Sequence, residues 1–316
     1  MDSASAWGDA CDRSTQHGGS TMESTESTFS FEAQGVALRG RLHRPNREPK
    51  AAVVLTGPMT SVKEQAAGAY ARALADRGYA ALAFDHRYYG ESGGEPRQFE
   101  NPGAKVEDIG AAAEALRRDA QMRSLPLCAV GVCAGGGYMA AAVAKGNGFK
   151  AFAGVAGYYS EATPESMAAS RAAIERARAA ERRWREAGVA ETVPAVAPDG
   201  GDVGMPLREA YEYYGTPRGA VPNYVNGYAI QSRAYTIPFN AIAAAPAIAV
   251  PTLMVHSETA LAPPLARRFF DALHVPREQL WLKSQGQIDF YDDPALIAAS
   301  ADAIVKWFDA ALAKAS

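Results

Sequence analysis

Gly131-Val132-Cys133-Ala134-Gly135-Gly136-Gly137 constrains the fold of this chain more than any other stretch. It follows an apolar run, Leu127 to Val132, and precedes an Ala-rich helical pattern that starts at Tyr138. In such a G-x-C-x-G frame the central residue sits on a sharp, strained strand-to-helix turn. Side chains at the flanking glycines would strike the neighbouring strand and helix. The pattern predicts a nucleophile elbow carrying Cys133, with sulfur where a serine hydroxyl is more common. A helix N-terminus favours the thiolate. The competing interpretation is a glycine-rich β–α turn holding a buried, inert cysteine.

Strand and helix patterns alternate on both sides of this turn. Apolar runs at Ala51–Leu55, Ala80–Asp85, Cys128–Cys133, Phe149–Ala156, Thr252–His256 and Leu280–Lys283 read as strands. Val62–Arg77, Lys105–Ala120, Tyr138–Ala144, Pro264–Leu273 and Ala295–Leu312 read as helices. This predicts an α/β fold with a mostly parallel, doubly wound sheet. Thr28–Phe31 and Val36–His43, turning at Ala33-Gln34-Gly35, predict an antiparallel hairpin at the sheet edge. The alternation stops over residues 160–249, which predict a helical cap inserted into a core of residues 28–159 and 250–316. Met167–Gly188, with Arg171, Glu175, Arg178, Glu181 and Arg182, predicts a helix with ion pairs on an exposed face. Residues 1–27 read as a disordered tail without the basic start and apolar stretch of a signal peptide.

The chain has 316 residues and a net charge of −3, which gives no general affinity for nucleic acid or an anionic membrane. No apolar run is long enough to span a bilayer. Three cysteines (Cys11, Cys128 and Cys133) without framework spacing argue against a disulfide scaffold and fit a reducing cytoplasm. A homodimer is compatible with the sequence, but no residue pattern requires one.

Three further segments complete the set: Gly57-Pro58-Met59-Thr60-Ser61-Val62-Lys63-Glu64-Gln65, Phe84-Asp85-His86-Arg87-Tyr88-Tyr89-Gly90-Glu91-Ser92-Gly93-Gly94, and Gly286-Gln287-Ile288-Asp289-Phe290-Tyr291-Asp292. With the elbow they resemble the α/β-hydrolase superfamily over about residues 28–314, and within it the bacterial dienelactone-hydrolase and acyl-peptidase-like branch. The resemblance implies Cys133 as nucleophile and an oxyanion hole formed by the N–H of Ala134 and one from the Gly57–Thr60 loop. Pro58 has no N–H, so Met59 is the expected second donor. It also implies a histidine at position 287, where this chain has Gln287, an amide that does not titrate. In the turn that normally carries the acid, Ala260 occupies the usual slot and Glu258 is the available carboxylate, expected either to orient Gln287 or to stay in a local turn network. Asp289 is expected to hold its loop.

None of the five histidines follows the last strand. His17, His43 and His274 are expected at the surface. His256 is expected to be structural. His86, at a strand's carboxyl end, is the candidate near substrate, and Arg87 beside it is expected to brace the loop. Five tyrosines of the insertion (Tyr211, Tyr213, Tyr214, Tyr224 and Tyr228) either pack or line an aromatic pocket; Tyr158, Tyr214 and Tyr228 are the candidate substrate-binding phenols. No metal or other cofactor is expected. The expected substrate is a small acyl compound (ester, thioester or lactone), with acyl transfer or cyclisation favoured over fast hydrolysis. A lyase, cyclase or isomerase using the oxyanion hole without a covalent bond, and a catalytically inactive ligand-binding protein, remain as alternatives.

Overall fold

A computed structural model describes residues 24–314. In chain order the elements are β1 (Thr25–Ala33), β2 (Val36–Arg44), β3 (Ala52–Thr56), α1 (Ala66–Ala75), β4 (Ala80–Phe84), α2 (Pro102–Arg118), β5 (Leu127–Val132), α3 (Ala134–Ala144) and β6 (Ala151–Val155). The insertion holds α4 (Pro164–Ala169), α5 (Arg171–Ala187), β7 (Thr192–Val193), α6 (Arg208–Tyr214), β8 (Tyr228–Ala229) and α7 (Arg233–Thr236). The core resumes with β9 (Thr252–His256), α8 (Pro263–Asp271), β10 (Arg277–Trp281), α9 (Asp289–Asp292) and α10 (Pro294–Ala313).

The strands form one eight-stranded sheet in the order β1-β2-β4-β3-β5-β6-β9-β10. β1 pairs antiparallel with β2, and β2 with β4; every remaining pair is parallel. This is the predicted doubly wound sheet with its edge hairpin. Gln34 (φ 51°) and Gly35 (φ 74°) make the hairpin turn, a left-handed conformation at both central residues that suits strand twist. β3, β4, β5, β6 and β9 are buried along their whole length, as strands covered on both faces must be. β5 lies between β3 and β6, so the turn after it opens at the middle of the sheet.

Some boundaries differ from expectation. β1 begins at Thr25, so the chain is ordered from within the segment expected to be tail; the rest of that segment, with Cys11 and His17, lies outside the described residues. α1 starts at Ala66 rather than Val62, because residues 57–65 are held as a loop. There Lys63 N–H and Nζ donate to the Asp85 carboxylate at 2.7 Å each. The long cap helix breaks at Ser170 into α4 and α5. The cap is not purely helical, since β7 and β8 form a small antiparallel ribbon. Glu181 pairs with Arg185 along α5, as expected of an exposed helix face, while Arg176 and Arg183 reach across to Glu191. His43 is buried on β2 beside Glu26, not at the surface.

Candidate active site

Cys133 occupies the turn between β5 and α3 with φ 55° and ψ −127°, a conformation that costs an L-residue about 1–3 kcal/mol. The flanking glycines are obligatory. A Cβ at Gly131 would lie 2.4 Å from the Gly135 carbonyl oxygen, and one at Gly135 would lie 2.5 Å from the carbonyl oxygens of Thr56 and Gly57. Those obstacles are backbone and cannot step aside. The backbone of Cys133 is pinned by its N–H to Val155 O (3.1 Å) and by Tyr158 N–H to its carbonyl (2.8 Å). The predicted elbow is thus present, and its sulfur opens into a cavity of about 280 Å³.

The cavity joins core and cap. Met59, Cys133, Ala134, Gln287 and Tyr291 come from the core; Met205, Leu207, Glu209, Ala210 and Tyr214 come from the insertion. A neighbouring cavity of about 330 Å³ shares Met59, Ala134, Tyr158 and Gly204 and extends toward Tyr138, Tyr228 and Phe239. Cys133 lines the first cavity, and its neighbour Ala134 lines both. Tyr158 borders both lobes, Tyr214 the first and Tyr228 the second. Ala134 opens α3, so its N–H has no carbonyl one turn back and points out of the helix end. Thr60 N–H is taken by Glu100 Oε2 at 3.1 Å, and Met59 of the same loop lines the cavity with Cys133.

No imidazole lines the Cys133 cavity. Gln287 lines it, and its amide is committed on both atoms: Oε1 accepts from Leu261 N–H (2.9 Å), while Nε2 donates to Ala156 O (2.9 Å) and to the Tyr291 hydroxyl (3.4 Å). Tyr291 and Gln287 both face the sulfur. Burial nevertheless pushes the Cys133 thiol up, and the opposing contacts from Tyr291, Ala134 N–H and Gln287 do not restore it. The thiolate favoured by a helix terminus is therefore not the resting form: desolvation exceeds the dipole here. Sequence reasoning missed Tyr291. Its signal was the i, i+4 spacing from Gln287 across a turn of helix.

Three expectations need correction. Glu258 does not orient Gln287; it is exposed and paired with Arg267, and Leu261 supplies the contact instead. His86 does not line the Cys133 cavity. Its Nε2 meets Thr56 Oγ1 at 2.8 Å and its Nδ1 meets Asp108 at 3.2 Å, and burial holds its pKa below the ordinary value. The strand end aims it beneath the loops rather than into the crevice. The thiolate expected at the helix N-terminus is not favoured, because Cys133 is nearly buried.

Other residues behave as expected. Arg87 braces its loop on Asp108 (2.6 Å) and Glu107 (2.7 Å). His256 is buried between the carbonyls of Ser257 (3.0 Å) and Gly157 (3.3 Å). Asp289 closes its turn by accepting from Gln285 N–H at 2.7 Å. Among the described residues no cluster of His, Cys, Asp or Glu could hold a metal ion, and no helix is long and apolar enough to cross a membrane.

A buried charge cluster stands beside the loop after β3. Besides Thr60 N–H, the Glu100 carboxylate accepts from Lys105 Nζ (2.7 Å) and from Tyr138 OH (2.7 Å), while Glu100 N–H donates to Ser232 Oγ in the insertion (2.9 Å). Burial alone would raise this carboxyl, but Lys105 and Tyr138 outweigh it and hold it below the usual range. The cluster ties together the loop after β3, helix α3 and the cap.

The comparisons with known proteins agree with this architecture. Residues 47–196 match the family described as serine aminopeptidase, S33. The chain is 31% identical over 274 residues to the uncharacterized protein YcjY of Escherichia coli K12, covering 83% of this chain and 89% of that one. It is 30% identical over 275 residues to the uncharacterized protein PA2218 of Pseudomonas aeruginosa, covering 82% and 73%. A shorter stretch of 102 residues is 35% identical to the thiohydrolase aneE of Aspergillus aculeatus, 31% of this chain and 32% of that one. The crystal structure of PA2218 superposes with a TM-score of 0.79 at 27% identity, covering 91% and 94%. That of the α/β hydrolase GrgF from Penicillium sp. sh18 gives 0.75 at 22%, covering 90% and 99%, which shows the shared fold. The chain belongs to the family of YcjY and PA2218, built on the α/β-hydrolase fold.

Proposed function

We propose that this protein processes activated acyl groups (thioesters, esters or lactones) through covalent attack by Cys133. The observation that carries this reading is the sulfur on a strained elbow, opening into a two-lobed crevice beside the Ala134 and Met59 backbone amides. In the attack, a bond forms between Sγ and the acyl carbon and the bond to the leaving group breaks. The thiol proton ends on the departing thiolate or alkoxide. Charge on the carbonyl oxygen is taken up by the two N–H donors, each worth roughly 3 kcal/mol in comparable sites. A thiol tolerates the missing imidazole better than an alcohol would, because its own pKa is far closer to neutrality.

The two lobes suit a substrate with an arm on each side of the scissile bond. Tyr214 supports a binding role, since its buried hydroxyl has no protein hydrogen-bond partner. Tyr158 and Tyr228 would contact the second arm. That a stretch of the chain resembles a thiohydrolase favours thioesters within this class. The raised thiol pKa favours a second reading, in which sulfur stays protonated and the oxyanion hole stabilises an enolate in a lyase, cyclase or isomerase reaction.

Incubation with a butyryl N-acetylcysteamine thioester, followed by intact-mass spectrometry, separates the readings. An acyl adduct on Cys133 that disappears in Cys133→Ala, together with turnover, is the expected result. Turnover that survives Cys133→Ala would overturn the covalent reading.

A further inference from the structure

The missing proton acceptor has a substitute contributed by the cap. Glu209, on α6, lines the same cavity as Cys133, and its Oε1 accepts from Ile288 N–H at 2.6 Å. The carboxylate is thereby anchored on the backbone of the loop that carries Gln287. The chain makes room for it: a Cβ at Gly286 would lie 2.3 Å from Glu209 Oε1. Only one oxygen is needed for the anchor, so the other is left to accept a proton. Gln287 cannot compete for this task, its amide being committed on both atoms.

We propose that Glu209 is the general base that readies water for attack on the acyl–Cys133 intermediate. This rests on the reading of Cys133 as nucleophile. Glu209 removes a proton from water as the water oxygen bonds to the acyl carbon, and the oxyanion rests on the Met59 and Ala134 amides. The carbon–sulfur bond then breaks with its electron pair going to sulfur. The proton held by Glu209 passes to that sulfur, leaving free acid and the Cys133 thiol. Partial burial raises the Glu209 carboxyl above the ordinary value, which makes it a better base; Asp289 and Glu212 add to the rise while Ile288 N–H and Arg218 oppose it. Cys133, Tyr158, Tyr214 and Tyr291 are the other titratable groups on the cavity wall.

The test uses the full chain and the butyryl thioester, with thiol release followed in the first turnover and loss of the acyl adduct followed by mass. Glu209→Gln is expected to keep the wild-type burst and slow adduct loss by roughly 10²-fold, the size of a general-base contribution. In the wild type, adduct loss rises with pH through the Glu209 titration and then levels; in Glu209→Gln that limb is gone. Gly286→Ala, which displaces the carboxylate without removing it, is expected to show the same intact burst with slowed adduct loss. Wild-type adduct loss and an unchanged pH profile in Glu209→Gln would overturn the proposal while leaving Cys133 as nucleophile. A missing burst in Glu209→Gln with normal circular dichroism would also overturn it, because Glu209 would then act before the intermediate. Absence of any adduct in the wild type would overturn the Cys133 reading and this proposal with it.

Discussion

Replacing Glu100 by glutamine should damage stability and catalysis through one cluster. Glu100 is fully buried and balances Lys105, itself nearly buried, at 2.7 Å. Removing one member of such a pair leaves the other charge uncompensated and costs about 3–5 kcal/mol. For a domain of this size, roughly 2–4 °C accompanies each kcal/mol, so the melting temperature should fall by roughly 6–20 °C. The double variant Glu100→Gln/Lys105→Met removes both charges and should regain most of that loss. The pH dependence has a definite sign. The folded carboxyl is held below its unfolded value, so the pair's stability is complete above a pH of about 4.3 and is lost as pH falls through the lower folded value. The wild-type advantage should therefore be level near neutrality and shrink in acid. With Met59 as the proposed second oxyanion donor, catalysis should suffer too, because the adjacent Thr60 N–H would be held by a neutral amide. The ceiling on that loss is one oxyanion donor, about 10²–10³ in kcat. Thermal unfolding by circular dichroism at several pH values, with kcat on the butyryl thioester, measures both effects. A melting temperature within about 2 °C of wild type, or a double variant no better than the single, would refute the reasoning.

Restoring a histidine alone should help little: Gln287→His lacks an acid to orient the ring, and Glu258 is committed to Arg267. Adding Ala260→Asp, beside the Leu261 amide that now holds Gln287, should raise aryl-ester hydrolysis by roughly 10²-fold over Gln287→His, as expected for an oriented general base; equal rates would show that the turn cannot present a carboxylate. Alkylation of Cys133 by iodoacetamide, read by peptide mass, should be slow at neutral pH and accelerate only above the ordinary thiol range, since burial raises its pKa. Tyr291→Phe should move that acceleration to still higher pH, because the hydroxyl facing the sulfur favours the thiolate; no movement would remove Tyr291 from the sulfur's surroundings.

Much of the fold was readable because its signals are local. β9 was assigned to the residue, since an apolar run bounded by Pro251 and a polar turn leaves little freedom. The elbow was readable because steric exclusion at Gly131 and Gly135 writes itself into adjacent positions. The place of Gln287 at the site was readable by its register within a motif. The site's other half was not, because its partners are distant in the chain. Glu209 meets Ile288 across 79 residues, and α6 reads only as a tyrosine-rich packing segment until its neighbour is known. His43 misled for a related reason: near an edge hairpin a polar residue looks exposed, yet β2 is an inner strand flanked by both β1 and β4.

Position 287 has one more consequence. An imidazole there would gain charge on mild acidification, and activity would follow the acidity of the surroundings near its ordinary pKa of about 6.5. The side chain of Gln287 carries the same zero charge at every pH the protein can survive, with each of its polar atoms already spoken for. Gln287 is a fixed strut, and the wall of the crevice at that point keeps one electrostatic character in acid and base alike.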